Sequence, residues 1–248
     1  MPFPPLRPVV GLVLSLLVTV TAVAAPPLTA AQSDPVALGW MQGAPPPEDK
    51  RIRYTDEDYF AFPKLRWTVC HFRQLMPTVG VSRGEGAARP MTRRLDSALD
   101  AVTFTPLGAT APMRWADALD ATYTDGIVVL HDGVVVYERY SGCLDAEGQH
   151  GAMSVTKSMT GLLGEILVAD GTLDENARVD AIVPELHGSG FGDATVKQIL
   201  EMTTGLRYSE DYADPDADVW QYAAAGSTLP PPPGYRGPTS YYDYLRTV

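Results

Sequence analysis

From Val9 to Ala25 the chain is apolar almost without interruption, with Arg7 just ahead of the run and small residues following it. A basic flank, an apolar stretch somewhat short of the ~20 residues that span a bilayer, and the triplets Ala22-Val23-Ala24 and Thr29-Ala30-Ala31 as peptidase sites predict a cleaved secretory leader over residues 1–31. No cysteine lies near those triplets, which argues against a lipoprotein. Residues 32–50, with Ala44-Pro45-Pro46-Pro47, read as a stiff Pro-rich linker. Over 51–112 the pattern is mixed, and the aromatics Tyr59, Phe60, Phe62 and Trp67 predict an N-terminal arm packed on a catalytic body that spans 113–248. Within that body Ile127-Val128-Val129-Leu130 and Val134-Val135-Val136-Tyr137 flank His131-Asp132-Gly133. Two β-rich runs around Asp-Gly predict a hairpin, and therefore an antiparallel sheet.

A different periodicity follows. Between Ser154 and Ala169 the charges are Lys157 and Glu165, and Val155, Met159, Leu162, Leu163, Ile166, Leu167 and Val168 leave hardly any polar face. Such a run predicts a helix buried in the middle of a domain, ended by Gly171 as a C-cap. Thr195 can cap a second helix carrying Val196, Ile199, Leu200 and Met202, which Thr203-Thr204-Gly205 closes. The stretch Arg207-Tyr208-Ser209-Glu210-Asp211-Tyr212-Ala213-Asp214-Pro215 reads as an acidic, aromatic loop. Loops of that composition beside a catalytic helix line substrate or simply meet solvent. After Leu229-Pro230-Pro231-Pro232-Pro233 a last helical segment runs from Ser240 to Val248. Strands paired antiparallel and then helices make the fold class α+β.

The chemistry concentrates at Ser154-Val155-Thr156-Lys157. At helical spacing the i and i+3 side chains share a face, so the Lys157 amine can reach Ser154 Oγ and take its proton. Burial would favour the neutral amine, which is the form that accepts a proton. The helix N-terminus also presents N–H groups able to hold an oxyanion. The bland alternative makes Ser154 an N-cap and lets Lys157 reach out to water.

Charge and composition narrow the partners. A net charge of -11 argues against nucleic acid or an anionic membrane surface, apart from the leader itself. There is no repeat, no paired-cysteine metal spacing and no phosphate-cradling glycine loop. His71, His131, His150 and His187 are dispersed, so neither a metal nor an organic cofactor is expected. Cys70 and Cys143 either pair in an oxidising compartment or remain two buried thiols.

The stretch from Asp125 to Tyr222 carries Ser154-Val155-Thr156-Lys157-Ser158, Val183-Pro184-Glu185-Leu186, and Phe191-Gly192-Asp193-Ala194-Thr195-Val196 running into Met202-Thr203-Thr204-Gly205-Leu206-Arg207-Tyr208-Ser209-Glu210-Asp211-Tyr212. It resembles the β-lactamase-related serine hydrolases, most nearly the 6-aminohexanoate-dimer hydrolase branch beside the class C β-lactamases and their esterase relatives. The arm from Tyr54 to Gly84 joins the resemblance more loosely. The resemblance implies a β-lactamase/transpeptidase-like antiparallel sheet flanked by helices, with the Ser-x-x-Lys helix at its centre. It implies Ser154 as the acylated nucleophile, Lys157 as the amine that activates it, and Tyr212 as a substrate contact near the scissile amide.

Three features depart from that family pattern. A carboxylate that holds a substrate amine in the nylon-hydrolase branch falls here in Tyr222-Ala223-Ala224-Ala225, which weakens the case for nylon-type oligomers. The family's tyrosine-then-asparagine element is not found, since Asn176 is the one asparagine and no tyrosine stands closely before it. No Lys-Thr-Gly or His-x-Gly triplet follows the helix. The expectation is thus the N-terminal part of a longer hydrolase, with an incomplete sheet, an uncovered apolar helix face and impaired activity when alone. The parent is read as a secreted or periplasmic enzyme that hydrolyses small amides, esters or β-lactams through an acyl-enzyme. The alternatives are a non-catalytic module that binds peptide or cell-wall ligands, and a penicillin-binding-type D-alanyl peptidase. Oligomeric state is not legible.

Overall fold

The computed structural model describes residues 27–248; the apolar run and the Ala22-Val23-Ala24 triplet of the expected leader lie outside them. Two short helices, α1 (Leu65–Thr68) and α2 (Phe72–Leu75), form the arm. After them come a small ribbon of β1 (Thr103–Phe104) and β2 (Met113–Arg114), helix α3 (Trp115–Ala121), and the hairpin β3 (Gly126–His131) and β4 (Val134–Tyr140). The long helix α4 (Val155–Ala169) is followed by α5 (Val179–Ile182), α6 (Val196–Leu200), α7 (Asp218–Ala225) and α8 (Tyr241–Leu245). Among the described residues no helix is long and apolar enough to cross a membrane.

The hairpin forms where the Asp-Gly signal places it. Asp132 and Gly133 both take positive φ, 50° and 74°, the geometry that a tight primed turn requires. The pairing runs antiparallel from Gly126 opposite Tyr140 to His131 opposite Val134, with an irregularity between Val129 and Leu130. On the other edge of β4 the extended segment around Arg93 adds a parallel bridge: Val135 N–H donates to Thr92 O, and Arg94 and Asp96 donate to Val135 O and Val136 O. Val135 and Tyr137 are thereby buried. β1 and β2 pair antiparallel as a separate two-stranded ribbon.

Two apolar cores organise the rest. Ile52, Tyr59 and Trp67 form the first, and Val179, Leu186 and Ala194 the second, with Phe191 and Leu245 against it. The Tyr59 phenol donates to Thr228 O and that of Tyr54 to Ser227 O, so the arm core reaches the loop after α7. Burial pushes the Tyr59 phenol up to about 12.

Contacts cross two of the predicted boundaries. The Pro-rich stretch 32–50, expected as a linker, is tied to the arm: Trp40 and Met41 pack against the Ile52–Tyr59–Trp67 core, and Met41 N–H donates to Lys50 O. Stiff backbone loses little entropy on docking, and Trp40 supplies the apolar area that holds it there, with Lys50 and Lys64 over its ring. Residues 27–31, assigned to the leader, also touch the body: Arg66 donates to Ala30 O and Tyr123 to Leu28 O. Among the arm aromatics Tyr59 and Trp67 are buried as predicted. Phe62 is exposed and meets the Tyr123 ring edge-on.

Candidate active site

Helix α4 begins at a constrained turn. Met153 takes φ 46°, a left-handed conformation that costs a non-glycine residue of order 1–3 kcal/mol and marks functional turns. Ser154 follows as the N-cap in right-handed geometry, and its side chain makes no capping bond. Instead Lys157 Nζ stands 3.2 Å from Ser154 Oγ. The hydroxyl therefore faces the amine rather than the helix backbone, although Lys157 reaches water as the alternative reading expected. The Ser154 N–H finds no acceptor among the described residues, so it is available to an oxyanion next to the reacting hydroxyl.

The arm supports this turn. Gly151 N–H donates to Val69 O at 2.7 Å, and a Cβ at Gly151 would stand 2.5 Å from Phe72 Cε2, so any larger residue there would push the Phe72 ring aside. Beside it Cys70 and Cys143 are joined in a disulfide with Cα atoms 6.0 Å apart, deciding between the two readings of the cysteines. Arg66 donates to Asp125 Oδ1 at 2.8 Å, and His150 Nε2 lies 3.3 Å from Asp125 Oδ2. This Arg66–Asp125–His150 cluster was hidden from sequence reasoning. Its members are 59 and 25 residues apart, and no periodicity relates them.

The prediction of a buried helix is not met. Val155, Met159, Leu162 and Leu163 are each about 60% exposed, and both Ser154 and Lys157 are open to solvent. Among the described residues the packing of α4 is chiefly on α6, where Gly164 lets Leu200 approach. The burial of Lys157 inferred from the apolar run is therefore not realised here, although its spacing to Ser154 is.

Tyr212 is 65% exposed and packs edge-on against Trp220, with ring centroids 5.8 Å apart. No hydrogen bond or ring contact joins it to Ser154 or Lys157, so the structure unites two of the three predicted site residues and leaves the third apart. Its loop is nonetheless tied down: Ser209 N–H donates to Asp218 Oδ2, and Trp220 Nε1 to Asp214 O. Burial raises the Tyr208 phenol above its ordinary value. Ala223, Ala224 and Ala225 are buried in α7, where the resemblance would place a substrate-binding carboxylate. No group of three or more His, Cys, Asp or Glu is gathered among the described residues.

The model of the family described as Beta-lactamase matches residues 113–243, more than half of the chain. The chain belongs to the β-lactamase family. It is 32% identical over 188 residues to the 6-aminohexanoate-dimer hydrolase of Paenarthrobacter ureafaciens, a match covering 75% of this chain and 45% of that protein. A solved structure from Bacillus anthracis, provisionally named a 6-aminohexanoate-dimer hydrolase, superposes with a TM-score of 0.69 at 26% identity. That match covers 81% of this chain and 51% of the other. The α+β, β-lactamase/transpeptidase-like fold is thus established, and the chain spans about half the length of these relatives.

Proposed function

We propose that this β-lactamase-family chain carries the nucleophilic half of a serine hydrolase acting on short amides and esters. The observation that supports it is the 3.2 Å approach of Lys157 Nζ to Ser154 Oγ at a helix N-terminus. In its neutral form the Lys157 amine takes the Ser154 proton as Oγ attacks the carbonyl carbon, and the Ser154 N–H holds the resulting oxyanion. Collapse expels the amine or alcohol, which receives the proton from Lys157, and leaves an ester on Ser154. Water then attacks that ester, Lys157 takes the water's proton, and the acid departs as the proton returns to Oγ.

The names of the relatives favour amides over β-lactams. The buried alanines of α7 favour substrates that need no carboxylate partner for a distal amine. Tyr212, exposed on a tethered loop, is proposed to meet the substrate on binding. The disulfide supports export to an oxidising compartment, secreted or periplasmic.

A second reading, a non-catalytic module that binds a peptide or cell-wall ligand, is favoured by one observation: Lys157 is exposed rather than buried in the helix environment that the apolar run predicted. A fluorophosphonate probe read by intact mass separates the two. One adduct is expected on the folded chain, and Ser154→Ala abolishes it. Absence of any adduct on folded protein overturns the catalytic reading.

A further inference from the structure

Two triplets satisfy a leader peptidase, Ala22-Val23-Ala24 and Thr29-Ala30-Ala31, and the structure treats the second as part of the fold. Ser33 is fully buried, and its hydroxyl donates to Thr29 O at 2.8 Å. Thr29 N–H donates to Gln32 Oε1 at 3.0 Å, and Gln32 N–H to Thr29 Oγ1 at 3.3 Å, a reciprocal pair that straddles the Ala31–Gln32 peptide bond. Arg66, 6% exposed, donates through one guanidinium nitrogen to Ala30 O at 2.6 Å and to Ser33 Oγ at 2.9 Å. Its Nε has no partner, so every acceptor around this buried cation counts. Tyr123 donates to Leu28 O at 2.6 Å.

Cleavage after Ala31 would remove the carbonyls of Leu28, Thr29 and Ala30 and would cut the Thr29–Gln32 pair. It would also create an ammonium on Gln32, next to the Ser33 hydroxyl that already receives Arg66. A buried guanidinium would lose an acceptor and gain a like charge nearby. On the reading that the chain is exported, we propose that Leu28–Ser33 is a permanent structural element of the mature protein and that leader removal occurs ahead of it, after Ala22-Val23-Ala24. This gives the mature protein the N-terminus Ala25-Pro26-Pro27-Leu28.

The whole coding sequence, expressed in a bacterium, provides the test by N-terminal sequencing and intact mass of the exported protein. A start at Ala25 is the expected result; a start at Gln32 overturns the proposal while leaving export intact. A chain retained in the cell with the leader attached overturns the export reading, and the proposal with it. In a second arm, proteins produced to start at Ala25 and at Gln32 are compared in urea. The Gln32 start is expected to unfold at a lower urea concentration and to show higher hydrogen exchange around Arg66. Superimposable transitions would refute the structural role.

Discussion

At Ser154 a side chain that ordinarily caps a helix is turned toward an amine one turn along. Lys157 is exposed, so replacing it should cost the fold little, within about 0.5 kcal/mol. Its removal as a base should slow acylation by roughly 10²–10⁴-fold. Lys157→Met is therefore expected to keep the urea midpoint and to lose most of its fluorophosphonate labelling rate; equal rates would remove Lys157 from the reaction. Asp180 carries a different kind of residue-scale effect. Arg178 donates to it through two nitrogens, and His187 Nδ1 stands 3.0 Å away, so its carboxyl is held well below the usual range, first by Arg178 and then by His187. A depressed folded value means that the carboxylate stabilises the protein above its unfolded value near 4, and that this contribution is lost as pH falls through the folded value. Wild type should exceed Asp180→Asn in stability at pH 7. The gap should narrow steadily below about pH 4 in urea titrations repeated at each pH.

Local signals carry the elements that the sequence reveals. Asp132-Gly133 meets the φ demands of its turn, Gly171 takes φ 78° beyond α4, and Thr195 with Gln198 forms a capping box at α6, each using residues within a few positions of one another. What escaped prediction depends on distant partners. Trp40 and Met41 of the Pro-rich stretch pack, half-buried, against the Ile52–Tyr59–Trp67 core, and the apolar composition of α4 says nothing about which element covers it. The Ser-x-x-Lys spacing was legible because it is a local helical relation, whereas the Asp125 cluster behind it is long-range. That exposure gives α4 a property of its own. Met159→Gln with Leu163→Gln alters residues 61% and 63% exposed, so the unfolding free energy should change by no more than about 0.5 kcal/mol per site. Removal of apolar surface should also lower binding of a hydrophobic dye and reduce self-association in sedimentation. A large loss of stability would mean that α4 is buried in solution.

Across the whole molecule the arm and the body are joined covalently at one place. Cys70 follows α1, Cys143 follows β4, and 73 residues of sequence separate them. Constraining a loop of that length in the unfolded chain stabilises the fold by about 4 kcal/mol on the chain-entropy model, with measured losses for native disulfides commonly about 2–5 kcal/mol. The Cys70→Ala, Cys143→Ala double variant should show that loss in urea at neutral pH, and reductant should reproduce it in the wild type. A purely entropic clamp would leave folded-state chemistry unchanged. The placement of this bond argues otherwise: Val69, next to Cys70, holds Gly151 three residues before Ser154, and Asp125 beside the hairpin's first strand pairs with Arg66 of the arm. Loosening the arm therefore releases the turn that aims the nucleophile, and acylation is sensitive to displacements of an ångström. Under conditions where the variant remains folded by circular dichroism, its fluorophosphonate labelling rate should fall below that of the oxidised wild type. Equal rates at equal folded fraction would confine the disulfide to stability and detach the arm from the chemistry of Ser154.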